Sequence, residues 1–106
     1  MTGPSFFADA LAEYEDVVVY YEAKQEGLGA RLIDEFDATV TLAMEFPHAA
    51  AKVTEAPPEY GLRWTLLHSF PIKLVYTVRA DALLIVAVFH ARRRPGYWLA
   101  RLKYLT

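Results

Sequence analysis

The chain has 106 residues, enough for one domain that buries about two thirds of the surface its unfolded form would expose. Hydrophobic residues make up 55% and charged residues 23%, which excludes a disordered chain. There is no cysteine, so a disulfide framework and a thiolate metal site are excluded, and the formal net charge is only −2.

That small charge conceals a division. Residues 1–59 carry twelve acids against the bases Lys24, Arg31 and Lys52, whereas residues 60–106 carry eight bases against Asp81 alone. A basic half attracts polyanions or an acidic protein. Met1–Ser5 shows no basic segment followed by an apolar one, as a secretory signal would. The longest aliphatic run, Ala82 to Phe89, is eight residues, too short for a membrane span. A cytoplasmic protein with no membrane partner is expected.

Ser5 to Phe7 can form only a very short strand. Phe7, Leu11, Tyr14, Val18 and Tyr21 recur at steps of three and four and predict a helix from about Asp9 to Glu26, with Asp9 or Ser5 as its cap. Glu13, Asp16 and Glu22 lie off that stripe and read as solvated, with nothing to give them a catalytic role. Gly27-Leu28-Gly29 is a turn, not a phosphate-binding loop, since no strand precedes it. Leu32/Ile33, Phe36, Val40 and Ala43/Met44 predict a second helix that ends at Phe46, before Pro47. His48 to Gly61, with Pro57-Pro58, is a loop that can contain a helical turn or an extended piece.

The period then changes to two. Leu62, Trp64, Leu66, His68 and Phe70 alternate with Arg63, Thr65, Leu67 and Ser69, and Ile72, Leu74, Tyr76 and Val78 with Lys73, Val75, Thr77 and Arg79; Ala80-Asp81 is a turn, and Ala82 to His90 is apolar on both faces. Arg92-Arg93-Arg94-Pro95-Gly96 stops the last strand, and Tyr97 to Leu105 is expected to close as a short helix. The elements predict a single α+β domain over 1–106: an N-terminal αα-hairpin packed on a three- to four-stranded antiparallel sheet, with a short C-terminal helix. The hairpin is expected to cover the face of Trp64, Leu66, Leu74 and Tyr76. The face with Arg63, Thr65, Lys73, Thr77 and Arg79 would then stay open as a partner surface.

Arg92 to Trp98 is the sharpest local feature. With Arg63 and Lys73 on the same face, its arginines would hold a phosphate backbone, and Tyr97 would stack on a base or move a proton. The plainer alternative has the arginines solvated and Tyr97 and Trp98 packed inward. His48, His68 and His90 lie about twenty residues apart, so no metal site is expected, and no cofactor-binding motif occurs. His68 reads as a partly buried ring, while His90 lies beside the arginines and has the better claim to a role.

Across nearly its whole length the sequence resembles the ParE/RelE superfamily of toxins from type II toxin–antitoxin systems, also described as plasmid stabilisation proteins. The resemblance rests on Ala10–Glu13 and Tyr20–Glu22 in helix one, the Gly27-Leu28-Gly29 turn and Phe46-Pro47. It continues through Gly61-Leu62-Arg63, the strand Phe70–Tyr76, and Val86–Arg93 with its basic end. It implies a toxin held in a hetero-oligomer by a co-encoded antitoxin, whose C-terminal segment typically wraps it. The RelE branch cuts messenger RNA on the ribosome; the ParE branch inhibits DNA gyrase and has generally lost the nuclease residues.

Arg63, Lys73, Arg92 and Tyr97 fall near the nuclease positions and are the catalytic set if the chain is an RNA endonuclease. Lys73 stands where an arginine is usual and Thr65 near a second basic position, so the set is incomplete. The glycine turn and the histidine–arginine end resemble the ParE side, which makes gyrase inhibition the leading expectation. His90, Arg93, Arg94 and Trp98 are then the target-binding residues. RNA cleavage is the alternative, and an inactive toxin fold that only binds a partner is the third reading.

Overall fold

Two helices, inserted after the first short strand, accompany a five-stranded mixed sheet in a computed structural model that describes residues 3–105. Helix α1 is Ala8–Lys24 and helix α2 is Leu28–Glu45. Phe7 occupies the α1 cap position in extended backbone and makes no side-chain cap bond, so neither Asp9 nor Ser5 caps this helix. Its buried face is Ala10 with partly buried Tyr14, Val17, Val18 and Tyr21, while Leu11 is exposed.

Gly27 turns the chain with φ of 92°, a conformation that glycine adopts without steric cost. The Glu22 carboxylate then accepts the Gly27 and Gly29 N–H groups at 2.9–3.1 Å, so α1 supplies the cap of α2. Helix α2 buries Leu32, Phe36, Val40 and Ala43, one stripe at helical spacing, and its cap is Phe46, next to Pro47.

The strands are β1 Ser5–Phe6, β2 Ala51–Lys52, β3 Arg63–Leu66, β4 Ile72–Arg79 and β5 Ala82–His90, in spatial order β1-β5-β4-β3-β2. The expected antiparallel meander is β3-β4-β5. The sheet differs from the expectation in gaining a two-residue strand at each edge, of which β1 runs parallel to β5. Two residues show no periodicity, which is why the sequence leaves them undecided. The chain closes with a 3₁₀ helix at Leu99–Leu105.

One irregularity sets the faces. Val75 pairs with Ala87 and Tyr76 with Ile85, which leaves Val86 as a bulge in β5. Leu83, Ile85 and Val88 therefore face the helices, while Val86, Ala87 and Phe89 face the other side. Leu74 and Tyr76 also pack under the hairpin, as expected.

The open second face does not exist in that form. Val53, Ala56, Leu62, Trp98 and Leu102 pack there against Val75, Val86, Ala87 and Phe89, forming a second core. Thr77 is 1% exposed and donates its hydroxyl to the Tyr60 and Gly61 carbonyls. The C-terminal segment covers what the apolar β5 leaves uncovered. His68 is exposed rather than partly buried: β3 stops at Leu66, and Leu67 turns inward through its N–H bond to the Ile72 carbonyl.

Candidate functional site

Strand β1 ends at Phe6, although β5 continues to His90. Beyond Ile85 the outer backbone edge of β5 has no neighbouring strand, and a half-buried edge must be satisfied by side chains. Two residues do this. The Arg101 guanidinium donates to the Val86 carbonyl at 2.9 Å, and the Val88 N–H donates to the Glu13 carboxylate at 3.1 Å.

The same two side chains face each other in a bidentate pair, with N···O distances of 2.8 and 2.9 Å. The Tyr97 hydroxyl also donates to Glu13. Arg93 lies 3.4 Å from the carboxylate, and its guanidinium stacks 3.5 Å from the Tyr97 ring centroid. Phe89 meets the Tyr97 ring edge-on at 5.2 Å. Asp9 adds a longer ion pair to Arg101 at 3.7 Å.

Electrostatics follow from this geometry. Burial pushes the Glu13 carboxyl up, but the hydrogen bonds from Arg101, Tyr97 and Val88 and the Arg101 charge outweigh it and hold it below the ordinary value. Hydrogen bonding to Glu13 raises Arg101. Burial, then the Glu13 carboxylate, pushes the Tyr97 hydroxyl far above the usual tyrosine range. Such a tyrosine keeps its proton at neutral pH and is poorly suited to act as a general base.

The residues singled out in the sequence are therefore divided. Paired residues in adjacent antiparallel strands share a face, and Arg63 pairs with Tyr76 while Lys73 pairs with Leu66 and Phe89. Tyr76 lies under the helices and Phe89 in the second core, so Arg63 and Lys73 lie on opposite faces. This corrects the expected common face, and Trp64, which packs with the second core, shows the same reversal of β3. Arg63 donates to the His48 and Ala50 carbonyls at 2.8 Å and holds the chain after α2. Lys73 sits over the Trp64 ring at 4.4 Å.

Trp98 is 2% exposed and is a core residue, which removes it from any contact surface. His90 is exposed, and its Nδ1 accepts the Arg92 N–H at 3.1 Å, which fixes the turn into the arginines. Arg92 and Arg94 are exposed, and among the described residues their side chains have no partner. His90, Arg92, Arg93 and Arg94 thus form one basic surface turn, anchored through Arg93 and Tyr97 to Glu13. Sequence reasoning missed Glu13 and Arg101. A signal existed for Glu13, since it lies three residues after buried Ala10 and four before Val17. Among the described residues, no group of three or more His, Cys, Asp or Glu side chains is placed to hold a metal ion.

The helical hairpin on one face of the sheet and the C-terminal segment on the other make an α+β fold similar to those of solved structures from a ParDE toxin–antitoxin system and of a RelE toxin. The chain superposes on a chain of the chromosomal ParDE system of P. aeruginosa with a TM-score of 0.66 and 16% identity, over 85% of this chain and 96% of that one. It superposes on the isolated RelE toxin of E. coli with a TM-score of 0.61 and 20% identity, over the full length of both. No family model matches the sequence, and no curated protein matches it.

Proposed function

We propose that the chain is the toxin of a type II toxin–antitoxin module, neutralised by a cognate antitoxin, and that it acts in the ParE manner by binding DNA gyrase in the cytoplasm. The toxin reading is supported by fold similarity to RelE over the full length and to a chain of a ParDE system over 85% of this chain, together with the sequence resemblance. The choice between targets rests on one observation: the four candidate nuclease residues do not converge. Arg63 and Lys73 lie on opposite sheet faces, and Tyr97 is committed to Glu13. Phosphate-transfer chemistry needs cations and a proton-transfer group aimed at one point. What the fold offers instead is a rigidly anchored basic turn, which suits recognition of an acidic protein or nucleic-acid surface. His90, Arg92, Arg93 and Arg94 are the residues assigned to target contact.

Expression of the chain alone should arrest growth, and co-expression of the protein encoded by the adjacent reading frame should relieve the arrest. Normal growth in the first arm would leave the third reading, a toxin fold that only binds.

A further inference from the structure

A second cationic cluster lies at the opposite edge of the sheet from β5 and its arginine turn. Strand β2 is held only by β3: Ala51 pairs with Trp64 and Lys52 with Arg63, and the Val53 N–H donates to the Leu62 carbonyl at 3.0 Å. Residues paired in this way share a face with Cβ atoms about 5 Å apart, and two like charges so placed repel each other. Lys52 and Arg63 are such a pair. Among the described residues neither forms an ion pair, although Glu55 and Glu59 lie on the loop between the two strands.

The surrounding chain fixes this arrangement. Arg63 spends Nη1 on the His48 and Ala50 carbonyls, both at 2.8 Å. Its Nε and Nη2 donors have no partner among the described residues, and that edge of a guanidinium can hold two oxygens of one anion. Lys52 is exposed and its ammonium is likewise unpartnered.

Both residues line a cavity of about 260 Å³ together with His48, Leu62 and Pro57-Pro58. The prolines and Leu62 make an apolar wall, beside which charges interact more strongly than in open water. His48 brings a ring that donates at least one N–H in either protonation state. Two cations and a ring donor at one small cavity match an anion with more than one charge and several oxygens. A phosphate monoester carries about −1.5 to −2 at neutral pH, whereas a carboxylate would cancel only one of the two charges.

We propose that the Lys52–Arg63 cavity binds a phosphate group, as the free ion or as the terminal phosphate of a small ester. Occupation relieves the repulsion between the paired cations and ties the loop after β2 to the turn after α2. Arg63 and Lys52 lie on the hairpin side of the sheet, opposite Lys73, and the site does not depend on the toxin reading.

The test titrates inorganic phosphate into the full chain, with ionic strength held constant by sodium chloride, and reads thermal melting and amide chemical shifts. Saturating phosphate should raise the melting temperature by about 3 °C or more, with the shifts centred on residues 48–63. Lys52→Glu should bind phosphate at least about tenfold more weakly. Without phosphate it should melt no lower than the parent, because it turns a like-charge pair into an opposite-charge pair. Lys24→Glu makes the same charge change on the exposed surface of α1 and should respond like the parent. Phosphate also stabilises proteins by being excluded from their surface, so an equal rise in the parent and Lys52→Glu would overturn the proposal. So would acetate that shifts the same amides with the affinity of phosphate, or phosphate shifts confined to residues 92–96. Adenosine monophosphate separates the two sources. Binding at least about tenfold tighter than inorganic phosphate assigns the site to a phosphate ester, and equal binding assigns it to the free ion.

Discussion

Glu13 and Arg101, 88 residues apart in sequence, meet through two hydrogen bonds of 2.8 and 2.9 Å and together take over the edge of β5 where β1 stops. The acidic hairpin and the basic second half are thus not segregated. One acid of the first helix organises the basic end of the sheet, joining α1, β5, the arginine turn and the C-terminal 3₁₀ helix.

Replacing Glu13 with Ala leaves the Arg101 guanidinium, the Val88 N–H and the Tyr97 hydroxyl without their acceptor. The expected loss is about 2–4 kcal/mol, because breaking a part-buried pair strands the remaining charge. Urea unfolding checks this. A double variant with Arg101→Met should recover part of the loss, since the stranded charge is then gone as well.

The pH dependence has two arms. Glu13 is held below its ordinary value of 4.5 in the folded chain. Its contribution is therefore present above about 4.5 and is lost as pH falls through the lower folded value. Tyr97 is held above its ordinary value of 10, so its contribution is present below pH 10 and is lost as pH rises beyond it. Thermal melts of Glu13→Gln and Tyr97→Phe should show the acid arm reduced in the first and the alkaline arm reduced in the second. Glu22 and Glu35 are also lowered, but Glu22 is exposed and Glu35 only partly buried at the surface, and solvent screening keeps their share small.

The β4–β5 turn is strained by composition. Ala80 and Asp81 take φ of 50° and 65°, a pair of left-handed residues in a two-residue hairpin, where Asn-Gly is preferred. Ala80→Asn with Asp81→Gly should raise stability by about 1–2 kcal/mol, read as a higher denaturation midpoint with an unchanged slope.

Gly29 serves a close approach. A Cβ there would lie 2.9 Å from Glu22 Oε1 and 3.2 Å from the Val18 carbonyl. Gly29→Ala should therefore cost about 1–2 kcal/mol through the lost cap, although alanine favours helix in isolation. A parent-like melting temperature would show that the Glu22 cap is dispensable.

The hairpin, strands β3 to β5 and the C-terminal helical segment were legible because their apolar residues follow periods of 3.6 and 2, which the two-residue edge strands are too short to show. Leu32, Phe36, Val40, Leu74 and Tyr76 sit where those periods put them. The bulge at Val86 left no trace in a strand apolar on both faces, and strict alternation does not reveal on which side of the sheet β3 begins. Arg63 and Lys73 were therefore placed together when they are apart. Trp98 looked like a contact residue because burial by a distant segment is not a local property. Glu13 was passed over because its partners, Tyr97 and Arg101, lie more than eighty residues away.

The central claim is that this fold acts by binding and not by cleaving RNA, and a gyrase supercoiling assay with purified protein tests it most directly. The account predicts loss of supercoiling activity at stoichiometric toxin, retained by Tyr97→Phe and lost when Arg92 and Arg94 are replaced by Ala. Normal supercoiling, with transcripts cleaved by the parent and not by Tyr97→Phe, would contradict it.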